Sequence, residues 1–397
     1  MSRYAACIGV IAFAWGMAPS PSAQAGYYSS FDALEETHRY SRDYQVFSDI
    51  LSNLGAIAAA KDPPVYTPIR QRYLLLEAMG GESPVNLKTL GQKLDYSAVL
   101  IRRARYEDAV QFLRPLAEEQ PRNFLVLTHY ATAQFLAPRE FQRQSAFYMM
   151  KALDNWPKRW EDVKDEQKSL LATLGWHETD FDRYRRFEVY FDRLIKNRLK
   201  EDELLAQKKP VEEVVDPIFT DDAGKPIRFV NEAGAFEAGR IARTEFEKLP
   251  KGEAIEAVEQ ILIWMPHDQR LLWLLGEVFN ASAMELKGNQ SNDAIRNAHK
   301  IFDKLADPLG SVKFGLNETK SRRDALKEAV KKMPPPAIPE GLEKLLNKKD
   351  NDDTPPPEQQ SWQHLIVAFF TGLAIGLFTL WQYQEMRRRR QARAQGS

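Results

Sequence analysis

Cysteine is almost absent: Cys7 is the only one among 397 residues, and it lies in the first apolar stretch. A body without cysteine holds no disulfide, no catalytic thiol and no cysteine-ligated metal. Histidine is scarce as well. His38, His129, His177, His267, His299 and His364 are the six, and none stands at metal-ligand spacing from another histidine or the cysteine. The chain has no phosphate-binding glycine loop, no Gly-x-Ser-x-Gly elbow and no His-Glu-x-x-His. We therefore expect no metal, no cofactor and no catalytic role. A basic face is missing too. Lys and Arg number 55 against 55 Asp and Glu, but one basic residue falls in the first 25 positions, and five basic and one acidic fall after 361. Residues 26 to 361 thus carry 49 basic and 54 acidic side chains. A mildly acidic body predicts no nucleic-acid partner.

Long apolar runs occur at the two ends. Arg3, the apolar stretch Cys7 to Ala18, the helix-breaking Pro19 and Pro21, and Ala23-Gln24-Ala25 have the layout of a secretory signal peptide cleaved before Gly26. Leu365 to Leu380 is apolar apart from Thr371 and Thr379, with Trp362, Trp381 and Tyr383 at its rims. A helix from Trp362 to Tyr383 would cross about 30 Å, the thickness of a bilayer core. Arg387, Arg388, Arg389 and Arg390 follow at once, and such clusters stay cytoplasmic. Both signals predict one topology, with the body outside the cytoplasmic membrane of a bacterial envelope and a short tail inside. Ala368, Gly372 and Gly376 share one face of the apolar span, a spacing that permits close helix pairing and so a homodimer. Pro334-Pro335-Pro336, Pro339 and Pro355-Pro356-Pro357 mark residues 333–361 as an extended tether. The same tail order, with Pro357-Glu358, also suits a sorting signal removed after export.

The body reads as all-α. Phe181, Tyr184, Phe187, Phe191, Leu194, Ile195 and Leu199 recur at three- and four-residue steps, which predicts a helix with a core-facing stripe. One region departs: Pro217 to Thr220 and Pro226 to Val230 are β-prone, with the turn-forming Asp221-Asp222-Ala223-Gly224 between them. A small hairpin or ordered loop is expected over 207–235. Three other segments share one pattern: Ala109, Leu113, Leu116, Pro121; Ser145, Met149, Ala152, Pro157; and Ala254, Val258, Ile261, Pro266. The steps are four, three and five each time, so a small residue begins an inner helix face, two larger ones continue it, and proline ends the unit.

In these residues the chain resembles the tetratricopeptide repeat family. Its first-helix pattern follows Pro266 as Leu272, Leu275, Gly276 and Phe279, and follows Pro121 more weakly as Leu127, Tyr130 and Ala131, with Gln134 where an aromatic is usual. The resemblance covers roughly 90–157 and 238–306. Pro121 to Pro157 exceeds the family's step of about 34, and an insertion sits near Gly288 to Asn292. The family implies a helical-repeat solenoid with a concave groove for a peptide or partner protein. Its geometry would point Arg270, Trp273, Glu277 and Asn280 into that groove, with Thr128, Thr132 and Phe135 from the earlier unit. The family's basic carboxylate clamp is missing, since Leu94 and Ala98 occupy the polar positions.

The expected organisation is a signal peptide over 1–25, a helical segment over 26–85, repeats over 86–206, the insertion over 207–235 and further repeats over 236–332. The tether (333–361), membrane helix (362–383) and basic tail (384–397) follow. The function this suggests is a non-catalytic, membrane-anchored adaptor that binds protein partners on the periplasmic side. The alternative is an envelope enzyme with a site in 158–235, which two converging carboxylates in a pocket there would favour.

Overall fold

A computed structural model describes residues 43–59, 87–174, 176, 178–209, 215–306 and 316–335. The chain divides into the units Met1–Pro336 and Ala337–Ser397, and every described residue belongs to the first. The signal segment with Ala23 and Ala25, nearly all of the tether, the apolar span with Ala368, Gly372 and Gly376, and Arg387 to Arg390 lie outside the described residues. Among the described residues, no helix is long and apolar enough to cross a membrane.

The described residues form twelve α-helices and no strand. Helix α1 is Tyr44–Ala59, α2 Leu90–Arg102, α3 Tyr106–Glu119, α4 Phe124–Leu136 and α5 Arg139–Asn155. A 3-10 turn, Trp160–Asp162, leads to α6, Asp165–Thr173, and α7, Glu178–Ala206. After the insertion come α8, Arg243–Phe246, α9, Ala254–Trp264, α10, Gln269–Ser282, α11, Asn289–Ala306, and α12, Leu316–Lys331. Consecutive helices pack in pairs: α2 on α3, α3 on α4, α4 on α5, then α9 on α10, α10 on α11 and α11 on α12.

The repeated pattern explains this packing. Ala109, Leu113 and Leu116 on α3, Ser145, Met149 and Ala152 on α5, and Ala254, Val258 and Ile261 on α9 are all buried. In each case the helix C-cap is the residue before the proline, namely Gln120, Trp156 and Met265. Proline disfavours the helical conformation in its predecessor and lacks the amide that would continue the hydrogen-bonded turn, although Pro115 is accommodated within α3. Helices α4 and α10 are buried on nearly every side, as a helix enclosed by neighbours must be. Their entries are fixed locally: the Asn123 side chain caps α4, and the Asp268 side chain caps α10. Helix α2 begins with a capping box in which Thr89 and Gln92 satisfy each other's backbone amides.

The long helix α7 links the two sets of pairs. It packs on α5 and on α9. Its aromatic stripe is core: Phe181, Tyr184, Phe187 and Phe191 are buried, with Phe124, Trp156 and Trp176 gathered around the first two. Phe191 meets the Trp264 ring edge-on at 4.9 Å. The Arg102 guanidinium donates to the Ile263 carbonyl, tying α2 to α9. Helix α1 adds a third link, touching α2, α9 and α11.

The insertion is an ordered loop rather than a hairpin. The insertion with the segment that continues it, described over 215–242, contains only isolated antiparallel bridges, Thr220 with Pro226 and, beyond the expected end of the insertion, Glu237 with Arg240. Two similar side-chain-closed turns shape it. The Asp221 carboxylate accepts from the Ala223 and Lys225 amides, and the Asn231 side chain accepts from those of Ala233 and Ala235. Gly224 and Gly234 take the positive φ that each turn requires, which glycine adopts without a Cβ clash. Prolines and polar side chains that close local turns leave too few paired backbone groups for a ladder.

Candidate functional site

Of the residues expected to line an open groove, all but the half-buried Arg270 are buried. Thr128 and Thr132 sit inside α4, where their hydroxyls donate to the Leu125 and Thr128 carbonyls of their own helix. Phe135 packs edge-on against Phe191 at 5.8 Å. On α10, Trp273, Glu277 and Asn280 are buried as well. The reason is specific: the chain covers this face with its own segments. The Arg322 guanidinium of α12 lies 4.6 Å from the Trp273 ring centroid and 5.1 Å from that of Phe236, and its Nε donates to the Glu277 carboxylate. Asn280 holds the segment that follows the insertion from both sides. Its Oδ1 accepts from the Gly239 amide at 2.7 Å, and its Nδ2 donates to the Glu237 carbonyl at 2.9 Å. Of the groove set, Phe135 and Arg270 line one cleft.

That cleft, of about 490 Å³, lies where the ends of α2, α4 and α7 meet the α9–α10 turn. Its floor is apolar, built from Phe135, Leu136, Trp264 and Met265. Its rim carries Leu205, more than half exposed, with Asp202 and His267. Its inner wall is charged, from Arg198, Glu201, Asp268 and Arg270.

The charged wall is one ion network. Arg198 grips Asp216 in a fork, Nε to Oδ1 at 3.0 Å and Nη2 to Oδ2 at 2.6 Å. It also grips Asp268, Nη1 to Oδ2 at 2.6 Å and Nη2 to Oδ1 at 2.9 Å. Arg270 Nη2 reaches Glu201 at 2.6 Å and Asp216 at 3.0 Å. Asp216 is fully buried between the two guanidiniums, with its backbone at a φ of 43°, the left-handed region that non-glycine residues seldom take. Burial alone would raise the Asp268 carboxyl, but the Arg198 charge and hydrogen bonds outweigh it and hold that carboxyl below its usual range. Burial disfavours the Arg198 charge as well, yet Asp216 and Asp268 more than compensate and bind its proton more firmly.

Other buried titratable groups lie elsewhere. Ser97 Oγ donates to the Leu94 carbonyl at 2.8 Å and lies 2.8 Å from His129 Nδ1. Periodicity could not reveal this pair, because its members are 32 residues apart. Both are fully buried, and burial pushes the imidazole down to about 3, so it is neutral at ordinary pH. The pair satisfies polar atoms inside the core and does not line the cleft. Burial raises the Glu259 carboxyl on α9 well above its usual range, with Glu256 adding to the effect. Glu277 is raised to about 7 by burial, against the lowering effect of Arg322.

Neither protein-family models, curated proteins nor solved structures match this chain.

The cleft thus sets charged side chains beside an apolar floor. Its inner carboxylates, Glu201 and Asp268, are paired with arginines. Among the described residues, no group of three or more His, Cys, Asp or Glu side chains is placed to hold a metal ion.

Proposed function

We propose that this chain is a non-catalytic adaptor, anchored in the cytoplasmic membrane by the span 362–383, whose helix-pair body binds a protein partner on the periplasmic side. In this reading the helix pairs are degenerate tetratricopeptide repeats. The carrying observation is the shared register of α3, α5 and α9, which bury the same small-large-large positions and end before the same proline. A helix pair cannot hide its apolar face alone, so neighbours stack, and stacked pairs offer extended surfaces for partners. The cleft suits such a role. An apolar floor beneath a charged wall gives a partner both contact area and a fixed orientation.

The partner would dock in the cleft rather than on the α10 face, which Arg322 and the segment that follows the insertion cover. Export through residues 1–25 and retention by the apolar span belong to the same proposal, as does pairing of two copies through Ala368, Gly372 and Gly376. The test is affinity capture from detergent-solubilised membranes, run in parallel with Leu205→Asp at the exposed cleft rim. A partner that co-purifies with the natural chain and falls at least tenfold with the variant is the expected result. Partners retained in full by the variant would remove the cleft from the interface. A tag after Ser397 that is reached from outside intact cells would overturn the topology.

A further inference from the structure

We propose that Arg198 and Arg270 form a binding pocket for an acidic residue in an extended peptide of a partner protein, and that the chain's own Asp216 segment occupies this pocket as an intrinsic competitor. The inference rests on the adaptor reading and names the chemistry of its partner.

The short segment Asp216 to Ile218 is held as a bound peptide would be. Its acidic side chain enters the guanidinium pair, with the fork from Arg198 and the third contact from Arg270. Its carbonyls are read by the same helix: Asn197 Nδ2 donates to the Pro217 carbonyl at 2.9 Å, and Arg193 Nη1 to the Ile218 carbonyl at 3.1 Å. Ile218 and Phe219 are then buried, the latter edge-on to Tyr190 at 5.3 Å. Residues at 193, 197 and 198 on one helix thus specify an acidic side chain, two backbone carbonyls and an apolar pair behind them.

Guanidinium forks match carboxylates in geometry as well as charge. Carbonyl contacts, by contrast, recognise any extended backbone and add affinity without sequence preference. The combination selects an acidic residue followed by apolar ones. Arg198, Glu201, Asp268 and Arg270 also line the cleft, so the pocket adjoins an opening that a peptide from another protein can enter. Asp216 is held there in a left-handed backbone conformation that non-glycine residues seldom take. Tethering gives the internal segment an effective concentration on the order of millimolar. An external peptide therefore competes poorly until Asp216 is displaced or neutralised.

The experiment uses the full chain in detergent and a labelled synthetic hexapeptide with the sequence of residues 215–220, together with the same peptide carrying Asn in place of its Asp. Fluorescence anisotropy should show the Asp peptide binding Asp216→Asn protein at least tenfold more tightly than the natural chain. The Asn peptide should show no such preference. Equal affinity of the Asp peptide for both proteins, or equal binding of both peptides to the variant, would overturn the proposal. If Asp216→Asn does not fold, hydrogen exchange on the natural chain decides. Saturating Asp peptide should speed exchange in 215–220, and unchanged exchange there would reject the pocket. Failure of the adaptor reading shows separately, as a peptide that binds this pocket while no membrane partner depends on the cleft.

Discussion

A methyl group on Gly276 would meet Phe302 Cε2 at 2.7 Å and Ile301 Cγ2 at 3.2 Å. Phe302 is fully buried and stands edge-on to Trp273 at 5.3 Å, so its ring has no open space to move into. Alanine is the better helix former by about 1 kcal/mol, but overpacking a core costs about 1–3 kcal/mol. The second effect should win. Gly276→Ala is expected to lower stability by up to about 2 kcal/mol, read as a lower urea midpoint with an unchanged slope. A higher midpoint would mean that α10 and α11 can separate at little cost. The need for a small residue here was readable in the sequence, since Gly276 falls where the first-helix pattern calls for one. The Ser97–His129 contact was not readable, because it joins neighbouring helices through a pairing that no short period encodes.

At the scale of the element, Asp268 both caps α10 and pairs with Arg198. The two roles can be separated. Asp268→Asn keeps a capping oxygen and removes the charge, whereas Asp268→Ala removes both. A lost cap costs about 1 kcal/mol, and breaking a buried ion pair on one side costs about 3–5 kcal/mol when no other partner remains. Arg198 retains Asp216, so the ionic loss should be smaller. The expected destabilisation is about 1–2 kcal/mol for Asn and about 2–4 kcal/mol for Ala, measured by chemical unfolding. Equal losses for the two variants would show that the cap contributes nothing. Helix positions and helix ends were legible because periodic apolar residues, capping side chains and prolines act over a few positions. The covering of the α10 face was not. The resemblance indicates which side of α10 turns inward, but Asn280 reaches 41 residues back to Gly239 and Glu277 reaches 45 forward to Arg322. Nothing in the local pattern of α10 records that those segments return to it. The insertion was legible as a break in helical period, yet its anchoring by Arg198 and Arg270 depends on α7 and α10 meeting in space.

For the molecule as a whole, buried ionisable groups set opposing dependences on pH. Glu277 titrates near 7 in the folded chain because burial outweighs Arg322, and near 4.5 when unfolded. The folded state thus binds this proton more tightly. Its contribution to stability is fully present below about 4.5 and is lost as pH rises through 7. His129 acts in the other direction. Its folded value of about 3 lies below the ordinary 6.5, so its contribution is present above 6.5 and is lost as pH falls through 3. Between these limits the two slopes oppose each other, but Glu259, which burial also raises, adds to the Glu277 direction, so the natural chain should lose stability as pH rises from 5 to 6.5. Removing Glu277 should reduce that loss. Glu277→Gln keeps an acceptor for Arg322 but cannot ionise, so stability should rise from pH 5 towards 7.5 relative to the natural chain, by an amount on the order of 3 kcal/mol. Urea midpoints across that range provide the measurement, with burial of the Glu277 carboxyl as the physical cause and the α12 contact opposing it. Parallel midpoint curves for variant and natural chain would show that Glu277 stays ionised throughout, and that Arg322 between Trp273 and Phe236 compensates its burial in full.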